Sequence, residues 1–327
     1  MKKIAINGFG RIGRILFRIL NENSDIEVSV INDLASPEVL SHLLKYDSIH
    51  GRFDSKVDYA DGYIIVDNRK IPVLNHSELS SINWSFFNVD IVFECTGLFK
   101  TFEENTLHIQ AGANKVILTA PPLDSQIDMV VLGVSDILAH KTSNIISNAS
   151  CTTNCAAPMI KVLDDFFNVE SAYVTTVHSY TSDQNLHDGV HVDLRRARSA
   201  PTSIIPTSTG AAKALSSIFP NIKISGCGIR VPVSNCSLTD ITCIVKNNTN
   251  IQEVNKLFKR ASETNLKNIL HYNTDPIVSI DVKSSTYSCV FDSMLTYVSG
   301  NMIKIVGWYD NEYGYCSRLV DLLLKIS

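Results

Sequence analysis

The rhythm of apolar and polar positions divides the chain into two stretches. In the first, short apolar runs alternate with helical spacing. Lys3-Ile4-Ala5-Ile6 reads as a buried strand, and Ile15, Leu16, Ile19 and Leu20 follow at helical period. Further strands are predicted over 28–31, 89–95, 115–119, 129–134 and 144–146, with a helix over 102–111. Strands alternating with helices predict a doubly wound parallel sheet. Ligands collect at the strand C-terminal ends of such a sheet, where Asn7, Asp33, Thr96 and Thr119 fall. Alternating apolar residues and turn glycines over 59–73 predict an inserted antiparallel element.

The rhythm changes after Ile145-Ile146. Ser147, Asn148 and Ser150 are helix-capping types, and Met159-Ile160, Val162-Leu163 and Phe166-Phe167 recur at helical spacing beyond them. A strand over 172–178 follows, then a long polar stretch over 179–206 holding Arg195, Arg196 and Arg198. A loop of that length is commonly functional or interfacial. Helices are predicted over 209–218, opened by Ser208-Thr209-Gly210, and over 251–261 and 315–326. Strands are predicted over 229–233, 238–245, 277–281, 288–291 and 302–308. Strands in succession with few helices predict an α+β unit with a mixed or antiparallel sheet. The expected domains are 1–150 with the C-terminal helix 315–327, and 151–314.

Composition narrows the class. The chain has 327 residues, 45% hydrophobic and 19% charged, as a soluble globular protein of two domains would. A net charge of −4 gives no electrostatic case for nucleic acid or an acidic membrane. Eight Cys without disulfide-type spacing suggest reduced thiols and a cytosolic setting. The apolar run Ile4-Ala5-Ile6 is too short for a signal-peptide core, and no run approaches a membrane span.

Gly8-Phe9-Gly10-Arg11-Ile12-Gly13 is a G-x-G-x-x-G between a strand and a helix, the context a Rossmann-type dinucleotide site requires. Gly8 permits the tight turn, Gly10 lets backbone approach a pyrophosphate, and Gly13 lets helix pack on strand. Asp33 ends the next strand, where a carboxylate binds the adenosine ribose and repels a 2′-phosphate. NAD is therefore expected over NADP.

Cys151 is expected at or near a helix N-terminus, where free N–H groups and the dipole favour thiolate. Buried packing is the plain alternative for a free Cys. The polar flanks of Cys151 argue against it, as does His178, a candidate base closing a strand. Cys155, one turn on, is expected to pack. A Cys-x3-Cys pair with one His is a poor zinc site, so no metal is expected.

Taken together, the chain resembles phosphorylating glyceraldehyde-3-phosphate dehydrogenases over its whole length. The matching segments are 6–14, 147–155, His178-Ser179-Tyr180-Thr181, 205–213, Arg230-Val231-Pro232 and Trp308-Tyr309-Asp310-Asn311-Glu312. The resemblance implies an NAD-dependent oxidation of glyceraldehyde 3-phosphate with inorganic phosphate to 1,3-bisphosphoglycerate, in glycolysis or gluconeogenesis. It makes Cys151 the nucleophile and His178 its base. It assigns Ser150, Thr152, Thr209 and Gly210 to the attacking phosphate, and Thr181, Arg196 and Arg230 to the substrate phosphate. Arg11 and Ile12 would contact the pyrophosphate and nicotinamide; Asn311 would hold the carboxamide, with Tyr315 nearby. A cytoplasmic homotetramer is implied, with the loop after His178 at the cofactor and subunit interface.

The chain departs from the family pattern at several positions. Val190 stands where NAD-dependent members commonly have Pro, near the adenosine ribose, so the NAD expectation rests mainly on Asp33. Ser182, Ala156 and Tyr313 are also unusual, and none touches the implied chemistry. Two other readings stand beside the first: an erythrose-4-phosphate dehydrogenase that hydrolyses its thioester, and an NAD-binding protein that has lost chemistry.

Overall fold

A computed structural model describes residues 1–326; Ser327, the last residue of the expected terminal helix, lies outside the described residues. The chain divides into two compact units, one of residues 1–130, 136–149 and Leu319 onward, the other of residues 131–135 and 150–318.

The first unit holds β1 (Lys2–Asn7), α1 (Arg11–Leu20), β2 (Ile26–Asn32), α2 (Pro37–Lys45), β3 (Val57–Ala60), β4 (Tyr63–Val66), β5 (Arg69–Leu74), β6 (Ile91–Glu94), α3 (Phe102–Gln110), β7 (Lys115–Leu118), β8 (Asp128–Met129), α4 (Ile137–His140) and β9 (Ile145–Ser147). Their order in one sheet is β3-β4-β5-β2-β1-β6-β7-β9-β8. All pairings from β5 to β8 are parallel. Ile4, Ala5 and Ile6 are wholly buried, as continuous apolar strands of a sheet covered on both faces should be. The 59–73 element is the antiparallel meander β3-β4-β5, and it does not stand apart. β5 pairs in parallel with β2 at Ile31↔Val73, so the insertion extends the main sheet.

The second unit holds α5 (Cys151–Phe167), β10 (Val169–Ser179), β11 (Ile205–Thr207), α6 (Gly210–Ile218), β12 (Lys223–Val231), β13 (Ser237–Val245), α7 (Ile251–Glu263), β14 (Leu270–Asn273), β15 (Cys289–Asp292), β16 (Tyr297–Ser299), β17 (Met302–Tyr309) and the start of α8 (Tyr313–Ile326). The sheet order is β11-β12-β10-β13-β17-β15-β14, with β16 on β17, and it mixes parallel and antiparallel pairs. The strand period of two sets the faces of β10. Ala172, Val174, Thr176 and His178 are buried, on the face against which α5 packs, while Tyr173 points outward and is half exposed.

Three local expectations are corrected. The run 129–134 is buried at Val130, Val131 and Leu132 but is not a strand beyond Met129: Gly133 has φ +82°, and Val131 N–H donates to Ser135 Oγ, curling the chain into a turn. The run 277–281 forms a 3₁₀ turn at Ser279–Val282, because the Asp281 carboxylate accepts the Val278 N–H and caps it. The stretch 179–206 is not structureless. It ends in β11, paired to β12, and three carboxylates fold it: Asp183 on Arg196, Asp188 on Arg198 and on Ser199 N–H, and Asp193 on the Arg195 N–H and Thr207.

Candidate active site

Ser150 is the N-cap of α5: its Oγ accepts the Thr153 N–H at 3.1 Å, with extended backbone. Cys151 is thereby the first helical residue, half-buried, with Sγ 3.5 Å from His178 Nε2. His178 Nδ1 lies 2.8 Å from Ser179 O, which orients the ring from its far side. The protonation differs from expectation. The helix start acts in the expected direction, since Thr152 N–H and hydroxyl and the Cys151 N–H all favour thiolate. Burial outweighs them and pushes the lone thiol up to about 11, although Arg230 opposes it. Burial, helped by Arg230, pushes the His178 imidazole down to about 3. Each group alone is held neutral. A proton passed from Sγ to Nε2 makes both charges together, as a pair 3.5 Å apart.

Cys155 is wholly buried with Sγ toward Gly307 O, a packing position as expected. Thr152 is turned inward, its hydroxyl 2.8 Å from Tyr309 OH. Tyr309 OH also bonds Thr176 at 2.9 Å, and the Tyr309 ring stands edge-on to the His178 ring at 6.0 Å. Tyr309 was visible only as part of a matching segment; its place beneath the cysteine and histidine comes from strand pairing.

The groups expected at the substrate phosphate do come together. Arg230 Nη1 donates to Thr181 Oγ1 at 3.1 Å, Thr181 bonds Asp183, and Asp183 accepts Arg196 Nη1 at 2.6 Å. Arg196 also reaches Thr207 and Ser208 O. Asp183, which sequence reasoning did not single out, thus sits at the centre of the cationic cluster. Thr209 caps α6 through Ala211 N–H at 3.2 Å, and a Cβ placed on Gly210 meets nothing within 4 Å, so the helix start is open. Asn311 Oδ1 accepts from both Ser179 Oγ and Ser237 Oγ at 3.0 Å. Tyr315 is buried in the first turns of α8.

In the first unit, Gly8 has φ +91°, and a Cβ there would lie 2.7 Å from Thr96 N. Gly13 packs directly on Gly8 O. Gly10 caps α1 without a side-chain hydrogen bond, and a Cβ on it meets only open space. Backbone N–H groups at the start of α1 therefore face an open approach, which suits a pyrophosphate. Ile12 is half-buried in that first turn. Arg11 extends to Asp47 with contacts of 2.6 and 3.3 Å, so its guanidinium is engaged by a carboxylate. Asp33 follows β2; its two oxygens accept Phe9 N–H at 2.7 Å and Ala35 N–H at 2.9 Å, tying it to the glycine turn. Thr96 bonds the Glu94 carboxylate, and Thr119 Oγ1 donates to Glu94 O at 2.8 Å. Among the described residues no cluster of His, Cys, Asp or Glu could hold a metal ion, and no helix is long and apolar enough to cross a membrane.

A dinucleotide fold in one unit and an imidazole-paired thiol in the other fit the class of dinucleotide-dependent oxidoreductases. Residues 2–102 match the family model of the glyceraldehyde 3-phosphate dehydrogenase NAD binding domain, and residues 150–311 match that of the C-terminal domain. The chain is 49% identical to the glyceraldehyde-3-phosphate dehydrogenase of Thermotoga maritima, with both chains covered in full. It is 46% identical to glyceraldehyde-3-phosphate dehydrogenase 2 of Bacillus subtilis, over 99% of this chain and 96% of that protein. With the Mycobacterium avium glyceraldehyde-3-phosphate dehydrogenase the identity is 48%, over 99% of this chain and 98% of that one. The chain belongs to the glyceraldehyde-3-phosphate dehydrogenase family, and its cofactor is NAD.

Proposed function

We infer that the protein oxidises D-glyceraldehyde 3-phosphate with NAD and inorganic phosphate to 1,3-bisphosphoglycerate, through a thioester on Cys151. The observation that carries this reading is the 3.5 Å approach of Cys151 Sγ to His178 Nε2 at the first residue of α5. Residues 1–150 with the C-terminal helix serve as the NAD domain and 151–314 as the catalytic domain.

Sγ attacks the aldehyde carbon and its proton passes to His178 Nε2. The Cys151 N–H and the protonated imidazole meet the developing oxyanion, which takes up the proton to give a thiohemiacetal. NAD, when bound, supplies the acceptor for the hydride on that carbon. His178 takes the hydroxyl proton as the hydride leaves, and a thioester remains. Inorganic phosphate attacks the acyl carbon, Sγ leaves and recovers a proton from His178, and one proton goes to solvent over the cycle. General-base help of this kind is worth roughly 100- to 10,000-fold. The thioester preserves acyl-transfer potential that a free acid would lose.

Arg230, Thr181 and Arg196 bind the substrate phosphate; their convergence on Asp183 supports this, and an arriving phosphate takes over the acceptor role of that carboxylate. Ser150, Thr152, Thr209 and Gly210 bind the attacking phosphate, supported by two capped helix starts. For NAD, the glycine turn of Gly8 and Gly10 with Arg11 and Ile12 takes the pyrophosphate side, and Asp33 takes the ribose. Thr96 and Thr119 line the strand ends. Asn311, whose amide oxygen is held by two hydroxyls, presents its NH₂ to the carboxamide, with Tyr315 nearby.

A cytoplasmic homotetramer is the assembly we propose. The half-exposed Tyr173 on the outer sheet face and the fully exposed Val190 and Val192 in the 179–206 stretch support burial against further copies. Measuring NADH formation from glyceraldehyde 3-phosphate and from erythrose 4-phosphate, with and without inorganic phosphate, tests the reading. Phosphate-dependent turnover of the triose is expected. Phosphate-independent turnover of the tetrose identifies the hydrolysing relative, and no turnover of either identifies a silent NAD-binding protein.

A further inference from the structure

The C-terminal ends of β1, β6 and β7 share a buried polar network centred on Glu94, a residue that the chemistry above does not use. Glu94, the last residue of β6, is 0% exposed, as are Trp84 and His108. Its Oε2 accepts from Asn7 Nδ2 at 2.6 Å and from His108 Nε2 at 3.1 Å. Its Oε1 accepts from the Thr96 N–H at 2.8 Å and from the Thr96 hydroxyl.

Donor counting assigns each hydrogen. Asn7 Oδ1 accepts from Asn32 Nδ2 at 2.7 Å, so the Asn7 amide turns its nitrogen to Glu94. Trp84 Nε1 can only donate, and it lies 3.0 Å from His108 Nδ1. Nδ1 is therefore the acceptor, and the ring hydrogen sits on Nε2, aimed at Glu94. Four donors converge on a group that, as a carboxylate, only accepts.

The network reaches the dinucleotide turn through Thr96. A Cβ on Gly8 would lie 2.7 Å from Thr96 N and 2.9 Å from Thr96 Cα, so the Thr96 backbone is the wall against which the glycine turn closes. Glu94 O in addition accepts the N–H and the hydroxyl of Thr119. We propose that Glu94 is a positioning residue for NAD: it holds Thr96, and through it the Gly8 turn, while Trp84 locks His108 in the tautomer that serves the carboxylate. This rests on the NAD-binding reading of the first unit.

Glu94→Gln keeps the shape but turns an NH₂ toward donors, either Thr96 or Asn7 and His108. His108 cannot switch tautomer to accept it, because the Trp84 indole N–H occupies Nδ1. By fluorescence titration, the Kd for NAD and for NADH is expected to rise by on the order of tenfold. The kcat at saturating NAD changes little, and iodoacetamide labels Cys151 at the wild-type rate without cofactor. A pair of variants at His108 covers a Glu94→Gln chain that does not fold. His108→Gln, whose amide can donate to Glu94 and accept from Trp84, retains NAD affinity, and His108→Leu loses it. Equal NAD affinity in wild type and folded Glu94→Gln overturns the proposal, as does His108→Leu binding as well as His108→Gln. A wild-type protein that binds no NAD overturns the NAD-binding reading instead.

Discussion

Arg230 lies beside His178 in register across the parallel pair β10 and β12, with Nη1 3.0 Å from Nδ1. A guanidinium donates and never accepts. The two Nη1 hydrogens have acceptors in Ser179 O at 2.9 Å and Thr181 Oγ1 at 3.1 Å, and Ser179 O also accepts Nδ1–H at 2.8 Å. The imidazole hydrogen therefore belongs on Nδ1, and Nε2 is the free acceptor facing Sγ. One residue thus touches both proposed tasks, anion binding and preparation of the base.

Arg230→Gln is expected to lower kcat/KM for glyceraldehyde 3-phosphate by about 10- to 150-fold, the range for one charge-assisted hydrogen bond. The loss should be smaller for unphosphorylated glyceraldehyde, which offers Arg230 no anion. Equal losses on both aldehydes would remove Arg230 from the phosphate site.

Cys151→Ser should abolish dehydrogenase activity and leave NAD binding intact. A stoichiometric alkylating agent should label Cys151 first among the eight Cys. The others lack its base, and burial pushes the thiols of Cys236 and Cys243 up to about 12. Peptide mapping of the labelled protein decides the order, and inactivation through any other Cys would refute the assignment.

His178→Asn removes the proton acceptor 3.5 Å from Sγ. The alkylation profile of Cys151 should shift to higher pH, toward the behaviour of a lone buried thiol. An unchanged profile between pH 5 and 9 (a range spanning about the ordinary values of His and Cys) would dismiss His178 as the partner.

The same substitution has a signature in stability. The His178 pKa is held at about 3 in the fold against 6.5 when free, so between these values the unfolded chain binds one more proton. Stability contributed by the neutral ring is full above 6.5 and is lost as pH falls toward about 3. His178→Asn should flatten that acid limb in urea titrations, and parallel limbs would contradict it.

Asp33→Ala should weaken NAD by about tenfold or more and narrow its advantage over NADP, because it removes the ribose carboxylate and the Phe9 N–H support of the glycine turn. Inversion is not expected. Arg14 feels the Asp33 charge, but its Nη1 is donated to Phe9 O at 2.8 Å. Wild-type enzyme using both cofactors equally would show that Asp33 does not set the choice.

Local signals were legible in the sequence wherever one residue and its near neighbours decide the outcome. The capping preference of Ser150 put Cys151 at the first turn of α5, and the glycine spacing put an open helix start after β1. The apolar run over 172–178 put His178 at the end of a strand, which β10 bears out. Apolar runs alone misled at 129–134 and 277–281, because Gly133 and the Asp281 carboxylate bend chain that periodicity reads as extended.

Tertiary structure decided whatever depends on pairing across distance. The register of β10 with β12 sets Arg230 against His178, and the pairing of β13 with β17 carries Tyr309 to Thr152 and Thr176. The protonation of Cys151 was likewise not local. A helix N-terminus favours thiolate through a few nearby N–H groups, but desolvation sums over every atom that excludes water. Here that larger sum holds the lone thiol neutral until His178 takes its proton.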